Sequence, residues 1–151
     1  MKKEDANMSM MSGTFRYTLD PKNRIFIPAK FREMLGEDII ITKDIRGRRL
    51  KVCSESTWNE YLAPILAKDR RTAENAVRIL MRDAANVTPD SQGRIVLSPA
   101  LIDYAGVSKD VVIVGCYHWA EIWSADEYDR YLAQEEEQSA LVLQALEADG
   151  L

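Results

Sequence analysis

The chain has 151 residues, 46% of them hydrophobic, a formal net charge of −4, two cysteines and one histidine. That length suits one medium domain or two small ones. No apolar run approaches the roughly 18 residues that cross a bilayer, and Met1–Asp5 is followed by no apolar segment of a secretory leader, so a cytoplasmic protein without membrane contact is expected.

Residues 1–10 are expected to be a disordered extension. Thr14 to Leu19 is β-rich and ends at Asp20-Pro21-Lys22-Asn23, which has the chemistry of a type I turn with Asp first and Pro second. Asn23 tolerates the left-handed backbone that such a turn needs when a bulge follows. Ile25-Phe26-Ile27 is then expected as a strand buried on both sides. Pro28 opens a short helix over Ala29 to Leu35, stopped by Gly36. Strands follow at Ile39–Lys43 and Arg49–Cys53, and Ser54 caps a longer helix. Ala73, Ala76, Val77, Leu80 and Met81 are spaced as one face of an amphipathic helix, so the following segment is a structured linker.

The pattern then repeats. Thr88-Pro89-Asp90-Ser91-Gln92-Gly93-Arg94-Ile95 answers Thr18-Leu19-Asp20-Pro21-Lys22-Asn23-Arg24-Ile25 at an offset of 70 residues. Gly93 stands at the position of Asn23, which is consistent with a left-handed residue in both turns. Ile95-Val96-Leu97 is again expected as a strand buried on both sides. Pro99 lies one position later than Pro28 in the repeat, with a possible shift of the second short helix, Ala100 to Ala105. Strands at Val111–Gly115 and Ala120–Trp123 complete the second copy. Ser124 with Glu127 reads as a capping box. Leu141, Val142, Leu143 and Leu146 suggest a last helical patch behind an acidic run. The division expected is therefore an extension (1–10), a first repeat with its helix (11–63), a linker helix (64–83), a second repeat (84–133) and an acidic tail or helix (134–151).

A duplication of this length points to whatever both copies keep, and both keep Asp-x-x-x-Arg. Two roles are open for it. Asp20 and Asp90 can fix their turns and pair with Arg24 and Arg94 across each hairpin, a structural use worth about 0–1 kcal/mol for an exposed pair. Alternatively the aspartates shape the turn while the arginines point outward, where a planar fork of donors suits phosphate or the O6/N7 edge of guanine. Lys22 at the turn tip would be a simpler phosphate contact.

Charge is uneven. Residues 13–63 hold ten Lys/Arg against seven acids, whereas residues 135–151 hold five acids and no base. Local potential governs contact with a polyanion, so the acidic total does not exclude nucleic acid. Lys30, Arg32, Arg46, Arg48 and Arg49 are expected to be mainly solvated. Trp58, Trp119 and Trp123 are expected to be core or subunit-interface anchors. Cys53, Cys116 and His118 could at most make a poor metal site. No Gly-rich phosphate loop or nucleophile elbow appears, so no enzyme, metal, cofactor or small-molecule substrate is expected.

Asp20-Pro21-Lys22-Asn23-Arg24, Ile27-Pro28-Ala29-Lys30-Phe31-Arg32-Glu33, Asp90-x-Gln92-Gly93-Arg94, Tyr104-Ala105-Gly106 and Glu121-Ile122-Trp123 resemble the bacterial MraZ family over about residues 11–133. The resemblance implies an α+β fold of two tandem AbrB-like swapped-hairpin halves closing into one pseudo-twofold β-barrel with flanking helices. It further implies a ring-shaped homo-oligomer (an octamer is one candidate size), associated with the nucleoid. The function implied is a sequence-specific transcriptional regulator, binding repeated elements in double-stranded DNA at the promoter of its division and cell-wall gene cluster. By motif match the DNA-binding residues are Lys22, Arg24 and Arg94, with Asp20, Asn23, Asp90 and Gly93 forming the turns. Gln92 in place of Lys22 leaves the second copy with less charge, making the first copy the stronger DNA hand. The rival reading is a protein-binding module, such as an AbrB-like antitoxin or an assembly scaffold whose acidic tail covers a basic partner.

Overall fold

The computed structural model describes residues 10–151. The expected extension therefore lies outside the described residues, apart from an exposed Met10. The elements run β1 (Thr14–Thr18), β2 (Arg24–Phe26), α1 (Ala29–Leu35), β3 (Ile39–Asp44), β4 (Arg49–Ser54), α2 (Glu55–Leu66) and α3 (Arg70–Met81). They continue with β5 (Ala85–Val87), β6 (Arg94–Val96), α4 (Pro99–Ala105), β7 (Asp110–Cys116), β8 (Trp119–Ser124), α5 (Ala125–Ala133) and α6 (Glu135–Ala148). The fold is α+β, as expected.

The two copies are spliced rather than set side by side. Each Asp-initiated turn closes locally: Asn23 N–H donates to the Asp20 carbonyl at 2.9 Å, and Asp20 N–H to the Arg24 carbonyl at 3.0 Å. Beyond the turn the arms part. β1 pairs antiparallel with β7 of the other copy, Thr14 opposite Val114, while β2 pairs with β6, Ile25 opposite Ile95. The two arms of each turn thus pair with strands of the other copy, an exchange in keeping with the swapped-hairpin halves that the resemblance implies. The other five pairings join six strands into one sheet, β1-β7-β8-β4-β3-β5, beside the two-stranded ribbon β2-β6. Exchanging the copies turns that order into its own reverse.

A single closed barrel is not what forms. The sheet ends at β1 and β5, and neither ribbon strand joins its ladder. The physical reason lies in the length of β2 and β6, three residues each, with Pro28 and Pro99 close behind. Proline has no N–H with which to carry a ladder further. The ribbon therefore packs on the sheet through side chains instead of joining its edge.

Burial follows the two-residue period of the strands. One face of the sheet (Ile39, Ile41, Leu50, Val52, Val111, Ile113, Ile122) meets Ile25, Ile27, Ile95 and Leu97 of the ribbon segments and Phe31, Leu35, Leu101 and Ala105 of α1 and α4. Phe31 is fully buried, edge-on to Phe15 at 5.3 Å between ring centroids. The opposite face is covered by α2 and α3, which bury Cys53, Trp58 and Leu80, and by α5, which buries Tyr128 against Val112 and Trp123. Because both faces are covered, β3 and β7 read as continuous apolar runs. The ribbon is covered on its inner face alone. Phe26 and Val96, expected to be buried, are 45% and 55% exposed.

Both short helices start at the same repeat position, Ala29 and Pro99, so the displaced proline moves nothing. Pro28 precedes its helix, whereas Pro99 is its first residue and the Ser98 hydroxyl accepts the Leu101 N–H at 3.3 Å. Ser124 accepts the Glu127 N–H at 3.0 Å, but the Glu127 carboxylate pairs with Arg130 instead of completing a capping box. Trp58 and Trp123 are core anchors as expected. No residue of α6 is buried, and Leu141, Val142, Leu143 and Leu146 all face outward.

Candidate nucleic-acid interface

In each copy one carboxylate organises the turn. Asp20 Oδ1 accepts the N–H groups of Lys22 at 2.8 Å and Arg24 at 2.9 Å, while Oδ2 accepts Arg24 Nε at 2.7 Å. Asp90 does the same with Gln92, Arg94 and Arg94 Nε, each at 2.9 Å. These bonds favour the ionised form. For Asp20, desolvation pulls the pKa upward, yet the bonds from Arg24 and Lys22 outweigh it and hold the pKa below the ordinary carboxylate value. Asp90 is lowered chiefly by the Arg94 backbone N–H. The fourth residue of each turn sits in the left-handed region, Asn23 at φ 61° and Gly93 at φ 83°.

This clamp uses only one edge of each guanidinium. Among the described residues, neither Arg24 nor Arg94 makes a hydrogen bond through its Nη atoms. The turn-making and outward-pointing roles are therefore compatible in one side chain: Nε is held by the aspartate and the terminal fork is left over.

The ribbon brings the two arginines onto one face. Arg24 stands opposite Val96 and Phe26 opposite Arg94, with Ile25 and Ile95 between them pointing into the core. Paired residues project to the same side of a sheet, so Arg24, Phe26, Arg94 and Val96 form one outward patch. Arg24 and Arg94 are diagonal neighbours, about 7–8 Å apart at the backbone. Lys22 and Gln92 are exposed at the tips of turns on opposite ends of the ribbon. What reads in sequence as two separate hands is one head with two tips.

Of the other basic side chains expected to be solvated, Lys30, Arg46 and Arg48 are exposed, whereas Arg49 and Arg32 are partly covered and held. Arg49 is tied down: its Nε donates to Asp44 Oδ2 at 2.9 Å and its guanidinium lies 4.9 Å from the Trp123 ring centroid. Asp44 also accepts the Arg46 N–H at 2.9 Å, so it is a third aspartate organising a loop with an arginine. An Asp before Gly47 and Arg49 was the available signal, hidden because the Asp–Arg spacing is five rather than four. Lys43 is buried against Asp83 at 3.1 Å. Arg32 packs on Gly93 and donates from Nε to the Ile27 carbonyl at 3.2 Å. Lys30 remains exposed.

Among the described residues no cluster of His, Cys, Asp or Glu could hold a metal. A cavity of about 440 Å³ lies over β4 and α2, lined by Arg46, Lys51, Tyr61, His118 and Trp119 among others. Its lysine is already sandwiched, with Nζ 4.2 Å from the Tyr61 ring centroid and 4.6 Å from that of Trp119.

The family model described as "MraZ protein, putative antitoxin-like" matches the chain twice, over residues 10–79 and 80–146. Among curated relatives, the transcriptional regulator MraZ of Desulforamulus reducens is 39% identical over 129 residues, covering 84% of this chain and 90% of the relative. That of Arthrobacter sp. (strain FB24) is 37% identical over 132 residues, with the same coverage. That of Clostridium acetobutylicum is 38% identical over 125 residues, covering 81% of this chain and 87% of the relative.

Proposed function

The chain belongs to the MraZ family, and we propose that it is a transcriptional regulator that binds double-stranded DNA through the Arg24–Arg94 face. The observation that carries this reading is the pair of clamped arginines whose Nη edges are left unpartnered on one exposed ribbon. A guanidinium fixed through Nε is pre-oriented, and its outer edge suits phosphate oxygens or the O6/N7 edge of guanine. The diagonal spacing of about 7–8 Å is close to two base-pair rises of about 3.4 Å each. One head can therefore address two nearby positions on the same groove. Lys22 adds a phosphate contact at one tip. Asp20, Asn23, Asp90 and Gly93 serve by holding the turns, and none of these roles involves catalysis.

One head with a few contacts is weak by itself. Repetition in a ring-shaped homo-oligomer supplies avidity and favours tandem promoter elements over a palindrome. Self-association is supported by opposite charge on α6, which buries no residue, and on the exposed side of α3. α6 and the residues after it carry five acids and no base, beside exposed Leu141, Val142, Leu143 and Leu146. α3 carries Arg70, Arg71 and Arg78 against one acid, Glu74, which pairs with Arg70 and Arg78, and its Ile79 and Met81 are exposed. A second copy is thus a fitting occupant for the acidic helix. No helix among the described residues is long and apolar enough to cross a membrane. The resemblance that suggests the operon of division and cell-wall genes makes the DNA upstream of this protein's own gene the first target to test, and a nucleoid location follows from that reading.

The test is footprinting on that DNA with wild type beside Arg24→Ala. Periodic protection by the wild type, lost in the variant at unchanged fold and assembly, is the expected result. Full-affinity binding by Arg24→Ala refutes the assignment. The competing reading, an antitoxin-like or scaffolding module, draws on the same acidic helix. It is favoured if a stoichiometric basic protein is captured while no DNA is retained at moderate salt.

A further inference from the structure

The second turn lacks the lysine of the first, since Gln92 stands where copy one has Lys22. The structure brings another cation to that turn from the other copy. Arg32 belongs to α1, yet its guanidinium lies flat on Gly93. A Cβ at Gly93 would fall 2.6 Å from Arg32 Cζ, 2.8 Å from Nη1 and 2.9 Å from Nε. Its Nε is held by the Ile27 carbonyl at 3.2 Å, and among the described residues Arg32 forms no ion pair. The side chain is half-exposed, not buried. No reciprocal arrangement exists, because Ile102 occupies the repeat position of Arg32 and Asn23 that of Gly93.

Resting on the DNA-binding reading above, we infer that Arg32 is a further phosphate-binding residue, crossing from copy one to charge the second turn in place of the missing lysine. Turn one then carries Lys22 and Arg24, and turn two carries Arg94 and Arg32. The head has two cations at each end, and the inequality between copies that the sequence suggests disappears. Gly93 has two reasons to be glycine: its left-handed backbone and the guanidinium that occupies the space of a Cβ. Like Arg24 and Arg94, Arg32 is anchored through Nε to a fixed acceptor, which leaves its Nη edge for an anion.

The experiment titrates the protected upstream duplex at several salt concentrations. The proteins are wild type, Arg24→Ala, Arg32→Gln, Arg32→Lys and the double variant Arg32→Gln/Gln92→Lys, with thermal melting of each. Losing one phosphate contact should reduce the magnitude of the log–log salt slope by about 0.9 per engaged subunit. A charge-assisted bond of ordinary strength corresponds to about a tenfold loss in affinity per engaged subunit. Arg32→Lys should retain most of the binding, and Gln92→Lys should restore slope and affinity to Arg32→Gln. If Arg24→Ala abolishes binding while Arg32→Gln keeps wild-type affinity and slope, this inference fails and the DNA reading stands. If Arg32→Gln weakens binding but neither lysine variant recovers it, Arg32 is structural and the inference fails likewise. Wild-type binding by Arg24→Ala removes the DNA reading itself.

Discussion

Gly93→Ala tests the geometry of the second turn without any DNA present. The substitution puts a side chain on a residue at φ 83°, which costs about 1–2 kcal/mol for a left-handed backbone. The new Cβ also lies 2.6 Å from Arg32 Cζ, too close to persist. Arg32 must swing away and give up its bond to the Ile27 carbonyl. A bond from a charged donor is worth about 1.5–3 kcal/mol, and water recovers part of it at this half-exposed site. The expected destabilisation is therefore about 2–4 kcal/mol, or about 4–16 °C in the thermal midpoint of a chain of this size. Asn23→Ala has no comparable guanidinium above it and should cost about 1 kcal/mol. Urea unfolding at one fixed protomer concentration measures both. A double-mutant cycle adds the decisive term: Arg32→Ala should cost less in the Gly93→Ala background than in wild type, by about 1 kcal/mol. Equal costs for Gly93→Ala and Asn23→Ala, or strict additivity in the cycle, would show that Arg32 does not rest on the turn.

Three further outcomes follow from the packing and charge. Asp20 and Asp90 have folded pKa values below the unfolded carboxylate, so their stabilisation is fully present above pH about 4 and is lost as pH falls through the lower folded values. Asp20→Asn/Asp90→Asn should therefore flatten the acid limb of stability against pH, and an unchanged limb would rule out the clamps as its source. Burial raises the Cys53 thiol to about 11 and the Cys116 thiol to about 12, so both should resist alkylation at neutral pH until the protein unfolds. Rapid labelling of folded protein, read by mass spectrometry, would contradict this. Ending the chain at Gln134 removes α6, which buries no residue, and should move the thermal midpoint by no more than about 2 °C. The same truncation should reduce the mass in light scattering if α6 holds a second copy; an unchanged assembly excludes that role.

Much of the local structure was legible because it rests on short-range chemistry. Asp20 and Asp90 initiate turns, Asn23 and Gly93 take the left-handed position, and Ser54 and Ser124 cap helices, all through atoms within four residues. Apart from the capping box that Glu127 gives up to Arg130 and the helix shift that Pro99 does not cause, the readings that failed had a partner far away in sequence. Phe26 and Val96 have the hydropathy of core residues, and their exposure depends on a three-residue ribbon having only one covered face. Arg49 and Arg32 read as surface charge, because Trp123 and Gly93 sit 74 and 61 residues away.

Duplication, turn chemistry and the two Asp-x-x-x-Arg motifs are properties of the sequence by itself, as is membership of a family whose model matches it twice. Tertiary structure decided how the copies combine. β1 crosses to β7 and β2 to β6, the ribbon stops at its prolines, and no barrel closes. The same exchange sets Arg24 and Arg94 on one face and carries Arg32 onto the other copy's turn. A repeat fixes what each module contains through bonds between near neighbours. Which edges and side chains meet between modules depends on burying both inner faces in one core, and that is a property of the folded chain as a whole.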